Sequence, residues 1–240
     1  MAVQKKVQKS TTKKKKRKNR KKRYDLSRVW MALGTLTVIL LVIFGVAQHQ
    51  KTQNAAQQMS GLSAIDGSRP DLDVELLTVN PYSRPGTALT QVNGIVIHYT
   101  ANPGATAQNN RDYFENLSIS HEAKVSSHFV VGLEGEVIQC IPTSEMSYAT
   151  NSRNVDSISI ECCHKDDTGV FEQETYDSVV KLAAWLCARF GLTSEQVIRH
   201  YDVTGKECPK YYVDHPDAWE QMKADISAQI TIDQGLMGIS

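Results

Sequence analysis

The chain has 240 residues, and its 27 Lys and Arg nearly balance its 26 Asp and Glu. With 41% hydrophobic residues, 14 Gly and 7 Pro, the composition excludes a wholly disordered or collagen-like chain and allows one or two packed domains. The 5 cysteines lack the paired C-x-x-C spacings of a zinc ribbon, so a structural four-cysteine zinc site is not expected.

The amino terminus is strongly basic and is followed by an apolar segment. Residues 1–28 contain 14 Lys and Arg and one acid, whereas residues 29–240 contain 13 Lys and Arg and 25 acids. The 19 residues 29–47 have no ionisable side chain. At ~1.5 Å per residue they are long enough to cross a hydrocarbon core of ~30 Å as one helix. Because basic flanks stay on the cytoplasmic side, we predict a cytoplasmic tail (1–28), an uncleaved single-pass transmembrane helix (29–47) and an extracellular carboxy-terminal domain at the cell membrane.

Two other interpretations of the amino terminus stay open. The triplet GVA at 45–47 resembles the small-residue site at which a signal peptide is cleaved, and cleavage there would release the domain. The basic run 13–23 resembles a nucleic-acid-binding patch. Because the run lies directly before an apolar segment, it is explained by the rule that basic flanks of a membrane span stay in the cytoplasm. No nucleic-acid partner is therefore expected.

A change of pattern separates a predicted stalk from a predicted domain. Residues 48–72 are rich in Gln, Ala, Ser and Gly and have no sustained periodicity, which predicts a flexible stalk. In residues 73–240, short β-branched runs alternate with longer helical patterns, which predicts an α/β domain with a central mixed β-sheet flanked by helices. The predicted strands are 94–98, 127–131, 136–140, 157–161 and 196–200, and the predicted helices are 106–117, 174–190 and 216–230.

Three predicted strands end on a residue that can take part in chemistry. These residues are His98, Glu161 and His200, and a loop after His200 contains Lys206 and Cys208. A lone histidine at a strand end is usually a hydrogen-bonded polar residue without a functional role. In open α/β sheets, however, sites form where strand ends meet a crevice. Imidazole and thiolate are good Zn²⁺ ligands, and three of them leave the open fourth position of a catalytic site. The pattern therefore favours zinc bound by His98, His200 and Cys208.

Four segments of the chain resemble a known family of enzymes. They are GIVIHYTANPGATA (94–107), SSHFVVGLEGEVIQCIP (126–142), DSISIECCH (156–164) and IRHYDVTGKECP (198–209). These segments are similar to the zinc-dependent N-acetylmuramoyl-L-alanine amidases, the type 2 amidases of the peptidoglycan-recognition and phage-lysozyme superfamily. The resemblance covers roughly residues 80–230 and implies a zinc hydrolase whose partner is peptidoglycan.

The resemblance also implies a role for each candidate site residue. In this family two His and a Cys or Asp bind zinc, which carries over to His98, His200 and Cys208. A Lys two positions before the third ligand assists catalysis and matches Lys206. A Glu that closes the middle strand is catalytic in part of the family and matches Glu161.

One position departs from the family pattern. Relatives with a catalytic Tyr just before the His-Phe of the second strand have Ser127 at that place here. Because this tyrosine is replaced by Ser127, we expect Glu161 to carry out the proton transfer. His128 heads the same predicted strand, so we predict it as a further substrate contact.

Two functions of different classes fit this pattern. The first is a membrane-anchored enzyme that cleaves the amide between N-acetylmuramic acid and the L-alanine of the stem peptide, using zinc-activated water. The second is a module of the same fold that binds muropeptides without cleaving them. Binding-only relatives typically lose a zinc ligand, and the presence of Cys208 favours the enzyme.

Overall fold

The computed structural model of the protein describes residues 26–67 and 69–236. The predicted basic tail, 1–28, lies outside the described residues except for its last three. The chain divides into two compact units, the first ending at Ala55 and the second beginning at Ala56.

The amino-terminal part of the described chain is one long helix, α1 (Leu26–Gly67). Trp30 and Phe44 are among its exposed apolar side chains. Within the residues that the structure describes, no helix combines the length and hydropathy needed to cross a membrane. Helix α1 includes most of the predicted stalk, 48–72, where the sequence suggested no regular element. The physical reason is that Ala, Gln and Lys favour a helix and no Pro occurs before Pro70.

Six strands form one mixed sheet in the described part of the domain, which confirms the predicted fold class. The strand order is β1-β4-β3-β5-β2-β6, and β3 and β4 are antiparallel while the other neighbours are parallel. Each predicted strand is present within two residues of its expected ends. The short first strand is an addition. The strands are β1 (Asp73–Val74), β2 (Gly94–Tyr99), β3 (Phe129–Val131), β4 (Val137–Gln139), β5 (Ser157–Cys162) and β6 (Val197–Arg199).

Helices cover both faces of this sheet. Thr106 caps the helix after β2, because its side chain accepts a hydrogen bond from the Asn109 amide. The helices are α2 (Ala107–Ser120), α3 (Gln173–Phe190), α4 (His200–Thr204), α5 (Lys210–Asp214) and α6 (Pro216–Leu236), with 3-10 turns at Asn151–Val155 and Ser194–Gln196.

Strand periodicity decides which side chains face which helices. Successive side chains of a strand point to opposite faces of the sheet. Ile95, Ile97, Ile158 and Ile160 therefore lie in the core that contains the buried side chains of α3 and α6. Residues at the alternate positions face the other side, where a smaller core includes Phe114 of α2.

Candidate active site

His98 and Glu161 lie side by side on two neighbouring interior strands of the sheet. They are register partners on the parallel strands β2 and β5. Each residue comes directly after an isoleucine whose side chain lies in the core on the α3 side of the sheet. Because successive strand side chains alternate, both side chains lie on the opposite face. The Nδ1 atom of His98 is 3.9 Å from Oε1 of Glu161. Strand pairing therefore delivers an imidazole and a carboxyl group to one point at the carboxyl end of the sheet.

His200 and Cys208 are brought together by a short helix and a loop. His200 is the first residue of α4, one position after β6, where the sequence predicted the end of a strand. Gly205 ends this helix in the left-handed conformation, with φ of 76°, and so turns the chain back. The Tyr201 amide then donates to the Cys208 carbonyl over 2.9 Å. This closure places the thiol beside the imidazole of His200.

The three predicted zinc ligands form one buried cluster. Within the described residues, donor atoms of His98, His200 and Cys208 all lie within 4.8 Å of one another. The Cys208 Sγ is 3.7 Å from the His98 Nδ1, and the two imidazole centroids are 4.7 Å apart. The Nδ1 atom of His200 is buried and has no hydrogen-bond partner among the residues that the structure describes. Two imidazole nitrogens and one sulfur in a closed group are the donor set that Zn²⁺ prefers, so the residues fit a zinc ion.

The outer nitrogens of both imidazoles contact two consecutive residues. The His98 Nε2 is 3.0 Å from Oγ1 of Thr150. The His200 Nε2 is 3.3 Å from Oδ1 of Asn151. Both contacts were missed by sequence analysis, because nothing in the sequence between strands β4 and β5 indicates a neighbour of the histidines.

Burial sets the protonation of the three ligand side chains. Burial, with His200 and Lys206 nearby, holds the pKa of His98 well below its usual value. Burial and Lys206 also lower the pKa of His200. Both rings are therefore neutral near pH 7, which is the form that binds metal. Burial, assisted by the Glu161 carboxylate, raises the pKa of the Cys208 thiol to about 12, so its ionisation requires a cation at the site.

Glu161 has a largely buried carboxyl group, with 14% of its side chain exposed, and one free oxygen. Burial raises its pKa to about 8, against the opposing effect of the Lys206 ammonium. Its buried Oε2 makes no hydrogen bond to any residue in the described part of the chain. A carboxyl group with a pKa near neutrality and an unengaged oxygen is suited to proton transfer.

A cavity of about 320 Å³ opens onto these groups. Exposed Lys206 lines it, as do Asn102 and Tyr113. The predicted site residues His98, Glu161, His200, Lys206 and Cys208 thus meet at one cavity, although they are distributed over more than 100 residues of sequence.

His128 is the predicted site residue that the structure places elsewhere. It is fully buried, and its Nδ1 accepts a hydrogen bond from the Ser159 amide over 3.0 Å. Its Nε2 is 2.8 Å from the Glu145 carbonyl. Both nitrogens are engaged in holding a loop to the sheet, which favours a structural role, and the substrate contact stays a prediction. Adjacent Ser127 is also buried and donates to the Ser159 carbonyl over 2.9 Å.

Comparison with known proteins agrees with this geometry. The model of the N-acetylmuramoyl-L-alanine amidase family matches residues 88–211. The chain belongs to this family. The amidase CwlL of Bacillus licheniformis is 42% identical over 148 residues, which is 56% of this chain and 41% of CwlL. The amidase BlyA of Bacillus subtilis is 33% identical over 176 residues, which is 65% of this chain and 46% of BlyA.

The amidase match spans only part of these relatives. The chain covers about half or less of the length of CwlL and BlyA. The solved catalytic domain of XlyA is matched almost completely, since 99% of it aligns with 65% of this chain at 29% identity and a TM-score of 0.56. The amidase fold is therefore shared with a domain that occurs as the catalytic part of another protein.

Proposed function

We propose that residues 73–240 form a zinc-dependent peptidoglycan amidase. The reaction is hydrolysis of the amide between the lactyl group of N-acetylmuramic acid and L-alanine of the stem peptide. The observation that carries this proposal is the convergence of the His98, His200 and Cys208 donor atoms beside the free oxygen of Glu161 in one cavity. Membership of the amidase family supports the choice of bond.

The ligand set would be Nδ1 of His98, Nδ1 of His200 and Sγ of Cys208. A zinc ion held there would supply a Lewis acid and would lower the pKa of the water used in hydrolysis. The protein keeps both rings neutral by burial and provides the thiol that a cation converts to thiolate. It also excludes solvent, because all three side chains are buried.

Glu161 is the proposed general base and acid. Its unengaged Oε2 accepts a proton from the attacking water as the oxygen forms a bond to the amide carbon. The carboxyl group then gives that proton to the departing nitrogen as the C–N bond breaks. The products are a lactyl carboxylate and a free L-alanine amine. The nearby Lys206 cation and a cation in the site would both favour the ionised carboxylate that the first step requires.

Lys206 is the proposed electrostatic partner of the developing oxyanion. It is exposed on the cavity wall and lies close enough to lower the pKa of both His200 and Glu161. An ammonium group in this position stabilises negative charge that forms on the carbonyl oxygen during attack.

A binding-only module is the alternative function. It would use the same cavity to hold muropeptides and would need neither the thiol nor the free carboxyl oxygen. The complete ligand set with Glu161 favours the enzyme.

We also propose that the enzyme is anchored in the cell membrane with the domain outside. The support lies in the sequence alone, where 19 residues without an ionisable side chain (29–47) follow a basic segment, and the described helices add none. Protease added to intact cells should remove the domain and leave a small amino-terminal fragment. A mature protein that begins near Gln48 would show instead that the segment is a cleaved signal.

The activity is tested with the full-length chain in detergent and purified peptidoglycan. We expect new amino termini that are all L-alanine, with no new reducing sugar ends. Cys208→Ser, measured beside the wild-type protein, controls for contaminating hydrolases. Binding of muropeptides by the zinc-loaded chain without release of L-alanine termini would favour the binding-only alternative.

A further inference from the structure

The contacts of Thr150 and Asn151 decide which nitrogen each histidine offers to the site. Oδ1 of Asn151 can only accept a hydrogen bond, so the Nε2 atom of His200 that faces it carries the hydrogen. The lone pair of His200 is then on Nδ1, which is the buried atom without a partner in the described chain. Oγ1 of Thr150 can accept from Nε2 of His98, and that arrangement leaves the lone pair of His98 on Nδ1, which faces Cys208.

The segment that carries these two residues is fixed by its own hydrogen bonds. Oδ1 of Asn154 accepts from the Thr150 amide over 2.6 Å and from the Ala149 amide over 3.0 Å. Thr150 is fully buried. Asn151 has φ of 51°, in the left-handed region that Asn tolerates better than most residues. The position of both acceptors is therefore set by hydrogen bonds within the fold.

We propose that Thr150 and Asn151 are positioning residues for the metal centre. They hold the two imidazoles in one tautomer and one orientation, in which Nδ1 of each ring is available to a metal ion. The inference rests on the proposed zinc site. Groups that orient ligand histidines in this way typically change metal affinity by ~10- to 100-fold when they are removed.

The test measures zinc affinity of the full-length chain by competition with a chelating dye. Thr150→Val removes the acceptor and keeps the branched shape, and Asn151→Gly removes the amide and keeps the left-handed backbone without strain. We expect each variant to bind zinc ~10- to 100-fold more weakly than the wild-type protein. The visible absorption of the cobalt-substituted protein should also change, because it depends on ligand geometry.

Two conservative variants and one matched control separate orientation from stability. Thr150→Ser and Asn151→Asp keep a side-chain oxygen and should retain zinc affinity close to that of the wild-type protein. Thr175→Val removes another buried hydroxyl, which donates to the Gly132 carbonyl over 2.8 Å, and should leave zinc affinity unchanged.

Each outcome bears on one proposal. Wild-type affinity and an unchanged cobalt spectrum in Asn151→Gly and Thr150→Val would overturn the positioning role. An equal loss of affinity in Thr175→Val would also overturn it, because the effect would then be general. If Thr150→Val does not fold, the zinc affinity of Asn151→Gly tests the positioning role, because Asn151 is exposed. A wild-type chain that binds no zinc would instead refute the proposed function.

Discussion

His98 and Glu161 are register partners on adjacent parallel strands, with 3.9 Å between the imidazole Nδ1 and the carboxyl Oε1. The proposed metal ligand and the proposed proton-transfer group are thus held by the hydrogen bonds of two neighbouring interior strands. Strands in the middle of a sheet are among the least mobile parts of a fold, so little reorganisation is needed during reaction.

Glu161→Gln is expected to separate proton transfer from metal binding. The amide keeps the size of the side chain but cannot accept the proton, and loss of a general base typically lowers the rate ~10²- to 10⁴-fold. Zinc content should be unchanged, because Glu161 is outside the ligand set. The measurements are release of L-alanine termini and metal analysis of the same preparation. Near-wild-type turnover of a zinc-loaded variant would contradict the mechanism.

Lys206→Ala should lower the rate without loss of zinc. Removal of a cation next to the developing oxyanion is expected to lower turnover ~10²- to 10³-fold. Lys210, which donates to the Asp167 carbonyl near the site, gives a matched control. Lys210→Ala should retain most activity. Equal losses in both variants would indicate a general effect of surface charge.

Cys208→Ser is expected to release the metal. A hydroxyl group is a much poorer zinc ligand than a thiolate, so the variant should hold far less than one equivalent of zinc. Cys187→Ser, which changes a buried thiol that donates to the Thr193 carbonyl, is the matched control. Zinc content equal to that of the wild-type protein in Cys208→Ser would refute the ligand set.

In the metal-free protein the contribution of Glu161 to stability should fall as the pH rises from about 4.5 to about 8, whereas the lowered pKa values of His98 and His200 act in the opposite sense below about 6.5. Burial raises the pKa of Glu161 from 4.5 to about 8, so the folded state binds its proton more tightly than the unfolded state does. Between these values the contribution of Glu161 to the unfolding free energy therefore falls with pH, on the order of a few kcal/mol. Denaturant unfolding of chelator-treated protein at several pH values measures this slope. The slope should be smaller in Glu161→Gln, and an identical slope would disprove the assignment.

Substitution of His128 should affect stability and leave the metal in place. His128→Leu leaves the Glu145 carbonyl and the Ser159 amide without their partners, at a cost of about 1–3 kcal/mol for each buried group. Zinc affinity should stay at the wild-type value. A variant of normal stability with a reduced rate would restore His128 as a candidate for the site.

Sequence periodicity predicted the sheet because its strands are short, β-branched and bounded by turn residues. It also predicted that His98 and Glu161 end their strands. It could not predict that β2 and β5 are neighbours, since strand order depends on long-range packing. His200 was placed at a strand end, whereas it begins α4, and boundary residues of this kind satisfy both patterns equally well.

Two features of the site had no local signal. Thr150 and Asn151 belong to a loop whose residue types are common in turns, and their contact with the histidines exists only in the folded chain. Histidine is a residue type common in active sites, so the sequence made His128 a candidate. The contacts that favour a structural role for it are with Ser159 and Glu145, which are distant in sequence.

The separation of 110 residues between His98 and Cys208 has a consequence for synthesis of the protein. Ribosomes produce the chain from its amino terminus, so His98 emerges long before the thiol that completes the ligand set. A chain that stops before Cys208 contains two ligands at most and cannot form the three-donor site. On the proposed function, truncated products of translation or proteolysis are harmless to the cell wall, and the hydrolase becomes active only when nearly the whole domain has been made.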